Sequence, residues 1–311
     1  MAILSKVSKP GHPKSHNSLK VSFSNVRGLR TNFLDCESFL LSQSPDILAL
    51  CETNLDASID TSHFAVNGYL PLIRKDSCTH MHGLGLFVRD SLPLAQDIAL
   101  ESSEHSYMCF RLALLNSTSY FFFLYRSPSS PSCAILDSVS INIDKALSAH
   151  PNANIFVFGD FNAHHSDWLT YSNGINVPGE YSYNFAISHD LVQVVNCPTR
   201  IPDGNTTASS LLDLFLTSDE SICSVDVQPP LGRSDHVVVS VSLDFGTLCN
   251  KDSSFHHKVF DYSRADWDGF CDLLRDIPWN DIFKYGPSYA ASEFSSWVQV
   301  GMDAHIPNRK Y

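Results

Sequence analysis

The sequence lacks the features that mark membrane, secreted and zinc-cluster proteins. No stretch of its 311 residues approaches the ~20 consecutive apolar residues that a membrane-spanning helix needs. The first 18 residues contain lysines and no apolar segment of the signal-peptide kind. The nine cysteines are scattered singly without a Cys-x-x-Cys pair, which argues against a disulfide framework and a zinc cluster. We therefore expect a soluble intracellular protein without a membrane partner.

Positive charge is also scarce, since 21 Lys and Arg residues face 33 Asp and Glu residues and the formal net charge is −12. Residues 1–20 contain four lysines and no acid, whereas residues 21–245 contain ten basic and 24 acidic side chains. Basic surfaces supply most of the affinity for nucleic acid, so the composition predicts weak binding of nucleic acid by this chain alone. An acidic cleft does suit a divalent cation, which can then recruit a phosphate.

What the sequence has is enough apolar material for a substantial core, with 43% hydrophobic and 11% aromatic residues. Short apolar runs bounded by Gly, Pro, Asn or Ser indicate strands. They fall at residues 21–23, 47–51, 84–88, 108–115, 120–124, 155–158, 191–195, 211–216 and 237–243. Helical periodicity occurs at residues 32–41 and 134–147. Many strands with occasional helices predict a four-layer α/β sandwich, in which two packed mixed β-sheets are flanked by helices.

The pattern divides the chain into three segments. Residues 1–17, rich in Pro, Ser and Lys, are expected to form a flexible lead-in, and residues 18–245 the α/β domain. In residues 246–311 the pattern becomes helical, with one helix at 267–277, a break at 279–281 and a second helix at 288–300. We interpret this last segment as an extension or linker.

Polar side chains follow, or lie inside the ends of, six of the predicted strands. The clusters are Asn25, Glu52, Tyr125 with Arg126, Asp160 with Asn162, Asp213, and Ser234-Asp235-His236. Carboxylates and amides bind hard cations, and carboxylates, phenols and imidazoles move protons or stabilise developing charge. This inventory suits hydrolysis of a phosphodiester.

Each cluster also has a structural alternative. Asn25 is suited to shaping a turn before a glycine, and Glu52 to a solvated strand end. Asp213 is flanked by leucines and must be paired if it is buried, and His236 is its natural partner. A metal site at His164-His165 is disfavoured, because adjacent histidines on an extended or turning chain point apart.

Taken in order, the clusters resemble the endonuclease/exonuclease/phosphatase superfamily, whose fold is deoxyribonuclease-like. Within it, the chain is similar to the apurinic-like endonuclease domain of non-LTR retrotransposons, jockey-like elements in particular. The matching segments are 24–30 (SNVRGLR), 50–53 (LCET), 125–128 (YRSP), 159–164 (GDFNAH), 212–217 (LDLFLT) and 232–236 (GRSDH). Segments 262–267 and 306–310 also resemble the connector that precedes reverse transcriptase in such elements, yet the polymerase motif itself is absent.

The resemblance implies a metal site and a phosphate site. Glu52 would hold Mg²⁺ or Mn²⁺, with Asn25 supporting it, and Asp235 would lie near this cation or a second one. Asn25, Asn162, Ser234 and His236 would contact the substrate phosphate. The related repair enzymes carry a carboxylate where this chain has Arg27, a difference that we interpret as bearing on subtype and damage specificity.

The resemblance also implies catalytic roles. Asp160 would orient and deprotonate the attacking water, which Asn162 would position. His236, fixed by Asp213, would stabilise the negative charge of the transition state with help from the Tyr125 hydroxyl. Losing one such group typically costs about 10²–10³ in rate.

The leading hypothesis is a metal-dependent DNA endonuclease that leaves a 3′-hydroxyl for target-primed reverse transcription by a partner reverse transcriptase. A phosphatase or phosphodiesterase of the same superfamily uses the same residues and is the first alternative. A catalytically idle retrotransposon remnant is the second. A nuclear location is expected from the DNA substrate alone, because the four N-terminal lysines are too dispersed for an import signal.

Overall fold

In the computed structural model, the described residues are 18–76, 82–114, 117–130, 132–202, 208–245, 258–260, 262–285 and 287–310. The chain divides into two compact units, Met1–Asn250 and Lys251–Tyr311. The predicted lead-in at residues 1–17 lies outside the described residues, and the domain limits drawn from the sequence remain predictions. None of the described helices is both long and apolar enough to cross a membrane.

The first unit alternates short strands with three α-helices in its described part. In chain order the elements are β1 (Ser18–Asn25), α1 (Leu29–Gln43), β2 (Ile47–Cys51), β3 (Ile73–Lys75), β4 (Leu84–Val88), β5 (Leu94–Gln96), β6 (Tyr107–Ala113), β7 (Thr118–Tyr125), α2 (Ala134–Ala149), β8 (Asn154–Asp160), α3 (Val177–Ser188), β9 (Val192–Gln193), β10 (Asp213–Thr217), β11 (Cys223–Gln228) and β12 (Val238–Asp244). These strands form two six-stranded sheets, with the orders β11-β12-β1-β2-β4-β3 and β5-β6-β7-β8-β10-β9.

Both sheets are mixed, since each contains one parallel pair among antiparallel neighbours. The parallel pairs are β1 with β2 and β7 with β8. Register matters for the site: Asn25 lies opposite Cys51 in the first sheet, which puts Asn25 next to Glu52. In the second sheet, Asp160 lies opposite both Tyr125 and Asp213. The strand ends that bear the predicted polar residues therefore meet at one edge of each sheet.

The inner faces of the two sheets pack against each other through aromatic side chains. Phe23 of the first sheet contacts Phe158 of the second at 5.3 Å between ring centroids, and Phe215 at 6.1 Å. Burying each such ring contributes about 2–3 kcal/mol relative to leaving it in water. The outer faces are covered by helices: Leu40 of α1 packs with one sheet, and Val139 of α2 belongs to the core of the other. The predicted four-layer α/β sandwich is confirmed.

The differences from the predicted elements have physical reasons. Strands β3, β5 and β11 lie at the edges of their sheets, and β3 and β5 have only three residues each. Their side chains are partly exposed, so these strands lack an apolar run in the sequence. Helix α3 was not predicted because it has little amphipathic character and has Pro178 and Gly179 in its first turn. Its start is fixed instead by Asn176, whose side chain accepts a hydrogen bond from the Gly179 N–H.

The second unit contains β13 (Lys258–Phe260), α4 (Trp267–Arg275), α5 (Trp279–Ile282), α6 (Pro287–His305) and β14 (Asn308–Lys310). Strand β13 pairs antiparallel with β14. Helices α4 and α6 pack closely, since a Cβ added at Gly301 would lie 2.8 Å from the Phe270 ring. The break predicted at residues 279–281 is wrong: a short helix, α5, begins at Trp279, whose indole N–H donates to the Leu274 carbonyl over 2.8 Å.

Candidate active site

A glycine allows the two central strands of the second sheet to approach closely just before Asp160. Gly159 has a φ of +134°, and a Cβ placed on it would lie 1.9 Å from the Leu124 carbonyl oxygen. No other residue type fits this position without moving the backbone. Strand β8 consequently continues through Gly159 to Asp160, two residues further than its apolar run indicates.

Four residues other than glycine adopt left-handed backbone conformations around the site. They are Arg27, Glu52, Asn54 and Asn162, with φ between 46° and 53°. Each such residue costs roughly 1–3 kcal/mol, and it persists where its surroundings fix it. Here the fixing bonds run from the Gly28 N–H to the Glu52 carbonyl over 2.8 Å, and from the Asn162 N–H to Asp160 Oδ1 over 3.1 Å. Strain of this kind is typical of functional sites.

The Asn25 amide joins carboxylates from the two sheets. Its Nδ2 group donates to Glu52 Oε1 over 2.8 Å and to Asp160 Oδ2 over 3.0 Å. The Tyr125 hydroxyl donates to the same Glu52 oxygen over 2.8 Å. Burial, and then the charge of Glu52, raise the pKa of Tyr125 far above its usual range, so the hydroxyl stays a donor.

His236 and Asp213 form a buried pair in which the Nδ1–H of His236 donates to Asp213 Oδ2 over 2.7 Å. Burial by itself lowers the pKa of His236, but the charge and hydrogen bond of Asp213 outweigh it and raise this pKa to about 9. The imidazole is therefore protonated at neutral pH. The Thr199 hydroxyl accepts a hydrogen bond from the Asp213 N–H over 2.9 Å and helps to place the pair.

Asp160 lies beside this pair, and ligand atoms of Asp160, Asp213 and His236 all fall within 4.8 Å of one another. Burial and the neighbouring charge of Asp213 raise the pKa of Asp160 to about 7, against the opposing effects of His236 and Asn25. A carboxylate with a pKa near neutrality is suited to accept a proton during catalysis.

The donor set fits a hard divalent cation. Glu52 Oε1 accepts both hydrogen bonds of its carboxylate, so Oε2 has no hydrogen-bond donor among the described residues. Asp213 Oδ1 is a buried oxygen that likewise has no donor in the described part of the chain. Carboxylate and amide oxygens around a partly exposed Glu52 are the ligands that Mg²⁺ and Mn²⁺ take in proteins. Glu52 is the residue best placed to hold such an ion.

Ser234 and Asp235 lie in the same place but make contacts other than those predicted. The Ser234 hydroxyl donates to the Asn25 carbonyl over 2.5 Å, which ties the loop before β12 to the end of β1. Asp235 accepts from Arg27 Nη1 and from Arg200 Nε, both over 2.9 Å. Burial by itself raises the pKa of Asp235, but the charges of His236 and these two arginines outweigh it, so the pKa of Asp235 lies below its usual value. The predicted phosphate contact of Ser234 and metal contact of Asp235 remain predictions.

Arg126 has a positional role that the sequence did not reveal. Its guanidinium is saturated by carbonyl groups: Nε donates to Phe161 and Nη2 to Asn162, both over 2.7 Å, and Nη1 to Ser130 over 2.8 Å. In return the Asn162 amide donates to the Arg126 carbonyl over 3.0 Å. Arg126 therefore holds the strained Asn162 segment in place. The sequence drew attention to Arg126 only through its position directly after β7, whereas its role in holding Asn162 follows from its hydrogen-bond partners.

A pocket of about 640 Å³ opens beside Asn162, and its lining includes Arg126, His164, Asn176, Arg200 and Leu212. Burial and the charges of Arg126 and Arg200 lower the pKa of His164, so the imidazole is neutral while the wall of the pocket is positive. The adjacent His165 lies elsewhere, with Nε2 at 3.4 Å from Glu180 Oε2. Its ring is 4.8 Å from that of Tyr183.

Comparisons with known proteins agree with this geometry. The model of a family described as endonuclease-reverse transcriptase matches residues 119–240. No curated protein matches the chain by sequence. The endonuclease domain of TRAS1, a telomere-specific non-LTR retrotransposon, superposes with a TM-score of 0.58 at 14% identity, covering 74% of this chain and all of that one.

Two further solved enzymes have the same fold. The AP endonuclease of Leishmania major gives a TM-score of 0.61 at 16% identity, with 73% of this chain and 88% of that one covered. A 3′ phosphatase from Neisseria, solved with a product DNA hairpin, gives 0.57 at 16% identity, with 73% and 99% covered. The fold of the first unit is that of these enzymes.

Proposed function

Because the family match and the shared fold confirm the resemblance to the endonuclease/exonuclease/phosphatase superfamily, we propose that this protein is a metal-dependent DNA endonuclease. The observation that supports the proposal best is the contact of Asn25 with both Glu52 and Asp160, next to the pair of His236 with Asp213. Glu52 as the metal ligand, Asp160 as the candidate general base and protonated His236 are thereby fixed within one site before substrate binds. Preorganised charge of this kind is usually the largest contribution to catalysis.

In this mechanism the side chains divide the work. Asp160 orients a water molecule with Asn162 and accepts its proton, because its raised pKa matches neutral pH. Protonated His236 donates a hydrogen bond to the phosphate and stabilises the added negative charge. A divalent cation held by Glu52 would polarise the phosphate when bound. Water adds to phosphorus, the bond from phosphorus to the 3′ oxygen breaks, and that oxygen takes a proton from solvent.

The substrate we propose is duplex DNA, nicked in one strand to leave a 3′-hydroxyl. The pocket beside Asn162 has positive walls and a volume of about 640 Å³, which suits a nucleotide adjacent to the scissile phosphate. The solved neighbours include a retrotransposon endonuclease domain, which supports target-primed reverse transcription with a reverse transcriptase as partner. The nuclear location expected from this substrate remains a prediction.

A nicking assay tests the proposal. Supercoiled plasmid is incubated with wild type, Asp160→Ala and His236→Ala, with Mg²⁺, with Mn²⁺ or with a chelator. We expect nicked circles from wild type in either metal, none with the chelator, and at least about 10²-fold slower nicking by each variant. Extension of the nick by a polymerase without further processing identifies the 3′-hydroxyl. Nicking no faster in wild type than in the variants would reject the enzyme hypothesis and favour an idle remnant.

The phosphatase alternative has a separate readout. The same preparations are offered an inositol phosphate, and released phosphate is measured. Release without plasmid nicking would replace the endonuclease proposal by the phosphatase. The same Asp160→Ala variant serves both assays, because either reaction requires the base.

A further inference from the structure

Asp235 is neutralised by two arginines that come from different segments of the chain. Arg27 belongs to the loop after β1, and Arg200 to the segment after β9. Each arginine donates to a different oxygen of Asp235, Oδ1 for Arg27 and Oδ2 for Arg200, both over 2.9 Å. The carboxylate is 9% exposed, whereas the arginine side chains are 53% and 40% exposed. Asp235 thus anchors two guanidinium groups whose outer ends face solvent.

Both guanidinium groups keep unused donors. Arg27 uses Nη1 and Arg200 uses Nε, and no described acceptor lies within hydrogen-bond distance of their other N–H groups. Arg126 differs, since carbonyl oxygens accept from all of its nitrogens. A guanidinium with free donors and a fixed orientation is suited to bind a phosphate.

Backbone contacts also link the two arginines to residues of the candidate active site. Arg200 forms a backbone bridge with His236, and the Ile201 N–H donates to the Asp235 carbonyl over 2.7 Å. Arg200 further lines the pocket beside Asn162. On the other side, the Arg27 N–H donates to Asn25 Oδ1 over 3.1 Å, which links Arg27 to the amide that joins Glu52 and Asp160.

Charge is distributed unusually in these segments. Residues 26–32, 199–202 and 231–236 contain four arginines, at positions 27, 30, 200 and 233, and a single acidic residue, Asp235. The chain as a whole has a net charge of −12. The overall negative charge of the protein repels DNA, so the DNA phosphates are expected to bind where basic residues are concentrated, as they are in these segments.

We infer that Arg27 and Arg200, anchored by Asp235, bind two backbone phosphates of duplex DNA that flank the scissile bond, and that Asp235 positions them instead of ligating a metal. The placement of these phosphates on either side of a cleaved bond rests on the proposed function, but the test of the phosphate contacts does not require cleavage. The recognition is electrostatic and independent of base sequence.

The test measures binding of a labelled duplex oligonucleotide by fluorescence anisotropy in a chelator, over a range of salt concentrations. The logarithm of the association constant falls linearly with the logarithm of the salt concentration, and each lost phosphate contact makes this slope less steep by about 0.9. The affinity of the variant for the duplex is then about eightfold lower than that of wild type at about 0.1 M salt. We expect this loss for Arg27→Gln and for Arg200→Gln. Arg27→Lys keeps the charge and is expected to keep the slope. Lys145→Gln, an exposed charge on α2, is the matched control and should match wild type.

Asp235 is tested by metal binding. Free Mn²⁺ is measured by electron paramagnetic resonance in titrations of wild type, Asp235→Asn and Glu52→Gln. We expect Glu52→Gln to weaken Mn²⁺ binding by at least about tenfold and Asp235→Asn to leave it within twofold. Asp235→Asn should instead weaken duplex binding, because its arginines lose their anchor.

The outcomes separate the two proposals. No duplex binding by wild type, or unchanged slopes in both arginine variants, overturns the inference even if plasmid is nicked. Loss of Mn²⁺ affinity in Asp235→Asn as large as in Glu52→Gln makes Asp235 a metal ligand and overturns its positioning role. Normal binding slopes without plasmid nicking would reject the endonuclease proposal and leave the phosphate contacts standing. Circular dichroism melts of all variants establish that folding is intact.

Discussion

His236 Nδ1 lies 2.7 Å from Asp213 Oδ2, and this contact joins the two sheets, since His236 precedes β12 of the first sheet and Asp213 opens β10 of the second. Both side chains are buried, so neither charge would be tolerated without the other. The pair therefore couples the assembly of the sandwich to the state of the site. Four predictions follow from this contact and from others around it.

Removing the charge of Asp213 should slow DNA nicking. In Asp213→Asn, His236 loses the carboxylate charge that most raises its pKa against the effect of burial, so this pKa falls and less of the imidazole is protonated at pH 7. We expect kcat to fall by about 10²–10³. The alkaline limb of the pH profile, set near pH 9 by His236 in wild type, should move to lower pH. Asp226→Asn, on the exposed face of β11, is the control; an unchanged alkaline limb in Asp213→Asn would contradict the assignment.

Stability should fall as the pH rises between pH 7 and pH 9. The pKa of His236 is raised from 6.5 to about 9, so its contribution is fully present below pH 6.5 and is lost as the pH passes through 9. The free energy of unfolding should decrease by up to about 1.4 kcal/mol per pH unit in this window. Urea unfolding of wild type and His236→Gln measures it, and the variant should give a flatter dependence. Parallel curves would exclude His236 as the cause.

Loss of the Tyr125 hydroxyl should weaken metal binding at Glu52. Tyr125→Phe removes a 2.8 Å hydrogen bond that orients the carboxylate. Outer partners of this kind typically affect metal affinity by about 10–100-fold, so the Mg²⁺ concentration for half-maximal nicking should rise at least about tenfold. Tyr120→Phe is a matched control at the other end of β7, where the hydroxyl contacts His150. An equal rise in both variants would show a general effect on the strand.

Gly159→Ala should disrupt the fold near the site. The added Cβ would lie 1.9 Å from the Leu124 carbonyl oxygen, on a backbone with φ of +134°. We expect a loss of about 4 kcal/mol or more, or failure to fold. Gly174→Ala is the matched control, since its φ is +81° but nothing lies within 4 Å of its Cβ position, and it should cost about 1–2 kcal/mol from backbone strain alone. Thermal melting distinguishes the two, and equal melting temperatures would contradict the close approach of the strands.

The residues of the site were predictable because each follows an apolar strand. Asn25, Glu52 and Asp160 were identified by their positions in the sequence, and the structure places Glu52 and Asp160 within hydrogen-bond distance of the Asn25 amide. Arg27 and Arg200 were not assigned contacts. Their partner, Asp235, is 208 residues away from Arg27 in sequence, and no local pattern encodes a contact over such a distance.

The sequence by itself determined which segments become strands and which polar groups terminate them, because alternation of apolar runs with turn residues is a local property. It did not determine which strands become neighbours. Parallel pairing of β1 with β2 and of β7 with β8 required the intervening chain to fold back, and that pairing places the strand ends together. The strained backbone at Glu52 and Asn162 was likewise decided by tertiary contacts, since only packing and hydrogen bonds from distant segments stabilise a left-handed conformation at such residues.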